Sequence, residues 1–277
     1  MGLIPAGALP HVKRFGWSGV LALGVVIVML AGINPITLIS GKVSPPPPPT
    51  SITGVPASSA SIEQIAAYPP IVGSEAELMW RRFFWQTAIR FPRVTMSVVE
   101  SSSAFGCGMA GKDLTVFYCP DNRLVYVDSG AYERLRAKFP LGADYAMAYL
   151  VAEAYGHHVQ WALGVFTDLV ALQSLRDVDR IAALERQIDQ QAACYAAMWT
   201  ITAGIDELNK NAAVMAAVGA VEANRGNAII NLPLGRVVPE VLTAASPEAR
   251  AFWYDKGYAI PAPGSCKLEK IAAEGLV

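Results

Sequence analysis

The sequence predicts an α+β domain, mainly α-helical, behind one N-terminal transmembrane helix. Three observations carry that expectation. Residues 15 to 41 hold no ionisable side chain. Short β-like segments separated by turn residues fall between Val94 and Val127, and from Tyr132 onward apolar residues recur at helical intervals. A chain of 277 residues accommodates one sizeable domain and a membrane segment.

Trp17 to Ile39 is mostly apolar and long enough to cross the hydrocarbon core, which takes about 20 helical residues. Lys13 and Arg14 precede it and a single Lys42 follows, so residues 1–16 are expected to be cytoplasmic and everything after Lys42 extracytoplasmic. A cleaved signal peptide is the alternative. The apolar run exceeds a usual signal core, however, and no clear small-x-small site follows closely. The expected location is the plasma (inner) membrane, with a single pass.

Residues 40–60 read as a Pro/Ser-rich extracytoplasmic linker. The five consecutive prolines from Pro45 to Pro49 favour a stiff polyproline spacer of roughly 15 Å at about 3.1 Å per residue. A ligand for a proline-binding domain is the other reading of such a run, and a plain stalk suits the expected compartment better.

The folded domain is expected over 61–277. Glu75 to Phe91 mixes Leu78, Phe83, Phe84, Trp85 and Ile89 with arginines in a helix-like pattern ended by Pro92. Val94–Val99, Leu114–Tyr118 and Leu124–Val127 read as strands. Helices follow near 132–138, 144–163, 167–175, 177–204, 206–224 and 247–256. Ala212 to Val221 is apolar but too short to span a membrane between Lys210 and Glu222. Ser246-Pro247-Glu248 supplies an N-cap, a proline at the first helical position and an early acid, and Gly257 is the expected stop.

Twenty-two basic and 23 acidic side chains nearly cancel, so composition gives no electrostatic case for nucleic acid. Four cysteines in an oxidising compartment favour two disulfides, for which three pairings exist. Cys107 and Cys119 flank a short hairpin-like segment and are expected to pair, leaving Cys194 with Cys266. A zinc site built from all four is the rival, without CxxC spacing to support it.

The chemistry concentrates in Tyr149 to Gln160, which contains two of the three histidines, His157 and His158. In an HExxH helix, histidines four apart share one face and one metal, and the glutamate between them takes a proton from metal-bound water. Here Glu153 stands at the first ligand position, Ala154 at the general-base position and His157 at the second ligand position. The alternative is that both histidines are ordinary helix residues, one buried with a partner and one at the surface. Gly156, costly inside a helix by about 1 kcal/mol, is expected to permit close packing. Tyr145, Tyr149, Tyr155 and Trp161 read as core or cleft lining. Neither a phosphate-cradling glycine loop nor a serine-nucleophile elbow is present.

The chain resembles the bacterial membrane-anchored putative neutral zinc metallopeptidases, whose hallmark is HExGHHVQ with a later QADCYA helix. Cys107-Gly108, Phe117 to Pro120 and Val125 to Asp128 look like the segments that precede that helix. Gln191 to Ala196 resembles QADCYA, and Thr243 to Arg250, Trp253, Gly257-Tyr258 and Cys266 resemble the closing elements. This likeness covers nearly the whole chain and implies a zincin-like metallopeptidase domain.

The chain departs from the pattern at Glu153, Ala154, Asp189 (for the Glu expected as third ligand), Ala193 (for Asp) and Ala244 (for His). The resemblance therefore implies a degenerate member, with Glu153, His157 and Asp189 as a vestigial metal set. Without a base at position 154, about 10²–10⁴ in rate is forgone. The expectation is a pseudo-metallopeptidase acting as a binding or accessory protein of a cell-envelope complex. Its partners would be the bacterial membrane, a protein in the membrane or envelope, and a peptide in the former cleft. No cofactor is expected, though zinc on the vestigial set stays open. The alternative is an active zinc peptidase with an altered ligand set, recruiting Glu185 or a cleft tyrosine as base.

Overall fold

The computed structural model describes residues 62–87, 89–99, 107, 115–139, 142–202, 219–220 and 237–267. The expected cytoplasmic segment, the transmembrane helix at 17–39, the linker and most of the expected helix at 206–224 lie outside the described residues. Among the described residues no helix is long and apolar enough to cross a membrane. The chain divides into two compact units, one of residues 1–47 with 81–91, the other of 48–80 with 92–277.

In the first unit, helix α1 (Ile62–Trp85) completes its last turn. Thr87 ends it: its backbone N–H and its hydroxyl both donate to the Phe84 carbonyl at 2.9 Å, using an acceptor that the helix itself leaves open. The Phe84 and Phe91 rings then meet at 5.2 Å. The expected helix from Glu75 to Phe91 is corrected at both ends. It begins at Ile62, running through Pro69 and Pro70, and stops well before Pro92.

The second unit carries a three-stranded sheet in the order β1-β3-β2, from Thr95–Val99, Val116–Cys119 and Leu124–Asp128. β3 is central, parallel to β1 with Thr95 opposite Leu124, and antiparallel to β2 with Cys119 opposite Leu124. The β2–β3 turn closes through the Arg123 N–H on the Cys119 carbonyl, while the Asn122 side chain accepts from Leu124. This is the turn chemistry expected of Asp-Asn. A small core of Cys107, Phe117, Cys119, Tyr126 and Val238 gathers at this sheet.

Among the described residues the sheet is followed by helices α2 (Ala131–Lys138), α3 (Ala143–Ala162), α4 (Val165–Leu175) and α5 (Val178–Thr202). Every residue of α3 from Ala146 to Gln160 is buried, which suits a helix apolar on nearly all sides and placed at the centre of a domain. It packs against β2, α2, α4 and α5. Gly156 permits the approach to α5, because an added Cβ would lie 3.2 Å from the Tyr195 Cβ and 3.5 Å from the Ala192 carbonyl oxygen.

Helix α6 (Pro247–Ala259) starts as expected, with the Ser246 hydroxyl accepting from Ala249 N–H at 3.2 Å. Its expected stop is wrong. Gly257 lies inside the helix, where a Cβ would come within 2.1 Å of the Cys194 carbonyl oxygen. That glycine therefore serves the contact between α6 and α5 and not a helix terminus. The expected disulfides Cys107–Cys119 and Cys194–Cys266 are both present.

Candidate functional site

Tyr149, Glu153 and His157 are spaced by four on α3 and so share a face. Asp189 comes from the middle of α5, and Arg250 from the first turn of α6, set there by the Ser246 cap. The Arg250 Nη1 donates to Glu153 Oε1 at 2.7 Å, and Nη2 donates to Asp189 Oδ1. Asp189 Oδ2 accepts the Ala245 N–H at 2.8 Å. Glu153, Asp189 and Arg250 are 5%, 1% and 2% exposed, so solvent screens this ion triad little.

Burial works against the charge on Arg250, but the Glu153 carboxylate and Tyr149 more than compensate, and the guanidinium is held more firmly protonated than usual. Tyr149 lies 3.5 Å from both Glu153 and Arg250. Burial and then the Glu153 charge push its hydroxyl well above the ordinary tyrosine range, with Arg250 pulling the other way. It is therefore a hydrogen-bonding neighbour at neutral pH and not a base.

His157 is 1% exposed, and its Nδ1 lies 2.8 Å from Gln160 Oε1. The Gln160 amide nitrogen donates to the Ile188 carbonyl at 2.8 Å and to Gln191 Oε1 at 3.0 Å, and Gln191 in turn donates to the Cys266 carbonyl at 2.8 Å. Those acceptors fix the Gln160 amide so that Oε1 must accept, which places a proton on His157 Nδ1. A line of side chains thus runs from α3 through α5 to the turn that carries the second disulfide.

His158 belongs to a different arrangement. Its Nε2 donates to the Pro92 carbonyl at 3.0 Å, leaving Nδ1 to accept from the Tyr118 hydroxyl at 2.9 Å. The ring stacks on Trp161 with centroids 5.5 Å apart, and Arg123 lies over that same Trp161 ring at 5.5 Å. Burial, with Arg123 adding to it and the Pro92 bond opposing, lowers the His158 pKa from 6.5 to about 4. It is neutral at pH 7 and locks α3 to β2. The alternative of one buried and one surface histidine does not hold, since both are buried.

Ala154 and Ala193 are buried and Ala244 is exposed. Glu185, the candidate replacement base, accepts both the backbone N–H and the hydroxyl of Thr243, at 3.0 and 2.5 Å, which ties α5 to the segment before α6. Of the predicted metal set, the structure brings Glu153 and Asp189 together, but on a guanidinium. Among the described residues, no group of three or more His, Cys, Asp or Glu side chains is arranged to hold a metal ion. Glu153, His157 and Asp189 as placed do not fit zinc while Arg250 bridges the two carboxylates.

Sequence reasoning left Arg250 without a role. One signal was available: a glutamate inside the apolar stretch Leu150-Val151-Ala152-Glu153-Ala154 must find a cation if it is buried. Gln160, Gln191 and Tyr118 carried no comparable local signal. Glu240 is a further buried acid, whose Oε1 accepts the Tyr118 N–H on strand β2 at 2.7 Å.

The family described as putative neutral zinc metallopeptidase matches residues 5–268, and the chain belongs to it. The protein YpfJ of Escherichia coli K12 is 24% identical over 252 residues, covering 91% of this chain and 86% of its own length. A protein of Mycobacterium bovis, Mb2605, is 29% identical over 187 residues, covering 64% and 62%. Rv2575 of Mycobacterium tuberculosis H37Rv gives the same figures. No solved structure matches the chain.

Proposed function

We propose that this member of the zinc metallopeptidase family is a pseudo-peptidase, which acts by binding as an accessory protein of a bacterial cell-envelope complex. In this reading it is held at the inner membrane by residues 17–39, with the domain outside and its former cleft available to a peptide or a partner protein. The observation that carries the proposal is the ion triad. Both carboxylates that would hold a metal are committed to Arg250, and position 154 offers a methyl group where the reaction needs a base.

The active-peptidase reading draws support from the family alone. Its suggested bases are poorly suited, since Glu185 is engaged by Thr243 and Tyr149 is held protonated. Purified full-length chain incubated with casein and with a mixed peptide library should show no cleavage that a chelator abolishes. Crosslinking in native membranes should capture the same envelope protein reproducibly. Chelator-sensitive cleavage would overturn the proposal, and crosslinking without a reproducible partner would remove the accessory role.

A further inference from the structure

We propose that Arg250 is the resident cation of this domain: its guanidinium takes the position on Glu153 and Asp189 that a dication would need, so the fold is metal-independent and a cation site is latent beneath the arginine. The proposal deepens the pseudo-peptidase reading, on which it rests for the identity of the two carboxylates.

Three helices meet at the triad. Arg250 lies 97 residues from Glu153 and 61 from Asp189, so α3, α5 and α6 are joined by one charged group. Two carboxylates buried to this extent would be severely destabilised alone, and a cation between them lowers that cost. A metal and the guanidinium exclude each other here, because Glu153 Oε1 and Asp189 Oδ1 already accept from Arg250 and Asp189 Oδ2 from the Ala245 N–H. A histidine at position 153 would give the guanidinium no carboxylate on α3. The substitution that removes a zinc ligand is thus the one that gives Arg250 its second anion. The fork of the guanidinium suits this bridging, with one nitrogen for each carboxylate.

The test compares the full-length chain with Arg250→Met and Arg250→Lys, each with zinc chloride, calcium chloride or chelator. Thermal midpoint and bound metal per chain are the readouts. The unaltered chain should purify with well under one metal per chain, and its midpoint should respond to neither ion nor chelator. Arg250→Lys, which keeps the charge, should behave likewise.

Arg250→Met should bind about one divalent ion per chain. Its midpoint should rise by roughly 5–10 °C when that ion is supplied about 100-fold above its dissociation constant. If Arg250→Met accumulates only when the ion is present, the proposal is supported equally. If it fails with and without metal while Arg250→Met/Glu153→Gln/Asp189→Asn folds, the charge requirement stands but the latent site is overturned. A stoichiometric metal in the unaltered chain without peptide cleavage would overturn this inference and leave the binding role intact. Cleavage would overturn the binding role itself.

Discussion

Glu153 and His158 stand five residues apart on one buried helix, yet they are held by opposite means. Glu153 keeps its charge company with Arg250 and reaches α6, whereas His158 is kept neutral between Tyr118 and Pro92 and reaches the sheet. Water is excluded from both. What differs is the partner on the facing element: a guanidinium pairs with the Glu153 carboxylate, whereas burial keeps the His158 imidazole uncharged, with Arg123 adding to that and the Pro92 bond opposing it. Adjacent turns of a single helix can therefore respond quite differently to substitution, acid and salt.

The largest effect should come from unbalancing the charged end. Arg250→Met, measured in chelator, leaves Glu153 and Asp189 without their cation and should cost about 3–5 kcal/mol in denaturant unfolding, because uncompensated buried charge remains. Adding Glu153→Leu and Asp189→Leu should recover most of that loss. If the triple variant is no more stable than the single one, the triad is not the source of the penalty.

Acid should separate the two ends next. The His158 pKa falls from 6.5 in the unfolded chain to about 4 in the fold, so between those values the unfolded chain binds the extra proton. Its contribution to stability is fully present above pH 6.5 and is lost as pH drops toward 4. A difference from 6.5 to 4 is worth on the order of 3 kcal/mol. Unfolding measured across this window should fall more steeply with acidification in the unaltered chain than in His158→Phe. Parallel profiles would mean that His158 is not the buried neutral group described.

The smallest effect is expected from Tyr118→Phe, which removes the hydroxyl donor to His158 and retains the ring. A loss of about 1–2 kcal/mol, independent of salt, fits a neutral buried hydrogen bond. A strong salt dependence would assign His158 to the charged class and collapse the contrast with Glu153.

Much of the fold was legible because its signals are local. The strands fall within two residues of their expected starts, and helix α3 differs from the expected 144–163 by one residue at each end. The Ser246 cap and Gly156 behave as their residue types dictate. Other readings failed where tertiary contact overrides local preference. Gly257 looks like a stop but lies within α6, where the Cys194 carbonyl leaves no room for a side chain. The site divides in the same way. Glu153, Ala154, His157 and Asp189 could be found by spacing against a motif, while Arg250 could not, because its partners are remote in the chain.

The sequence by itself determined the family, the helical character of the domain, the cysteine partners and the absence of a carboxylate at position 154. These follow from residue order and spacing, which need no knowledge of distant neighbours. Only the tertiary structure decided that Glu153 and Asp189 share a guanidinium, and that His158 is neutral while His157 holds a proton on Nδ1. The physical reason is that charge state and ligand availability depend on what lies within about 3 Å in a solvent-poor interior. For Glu153, Asp189 and His158 those neighbours arrive from helices and strands tens of residues away.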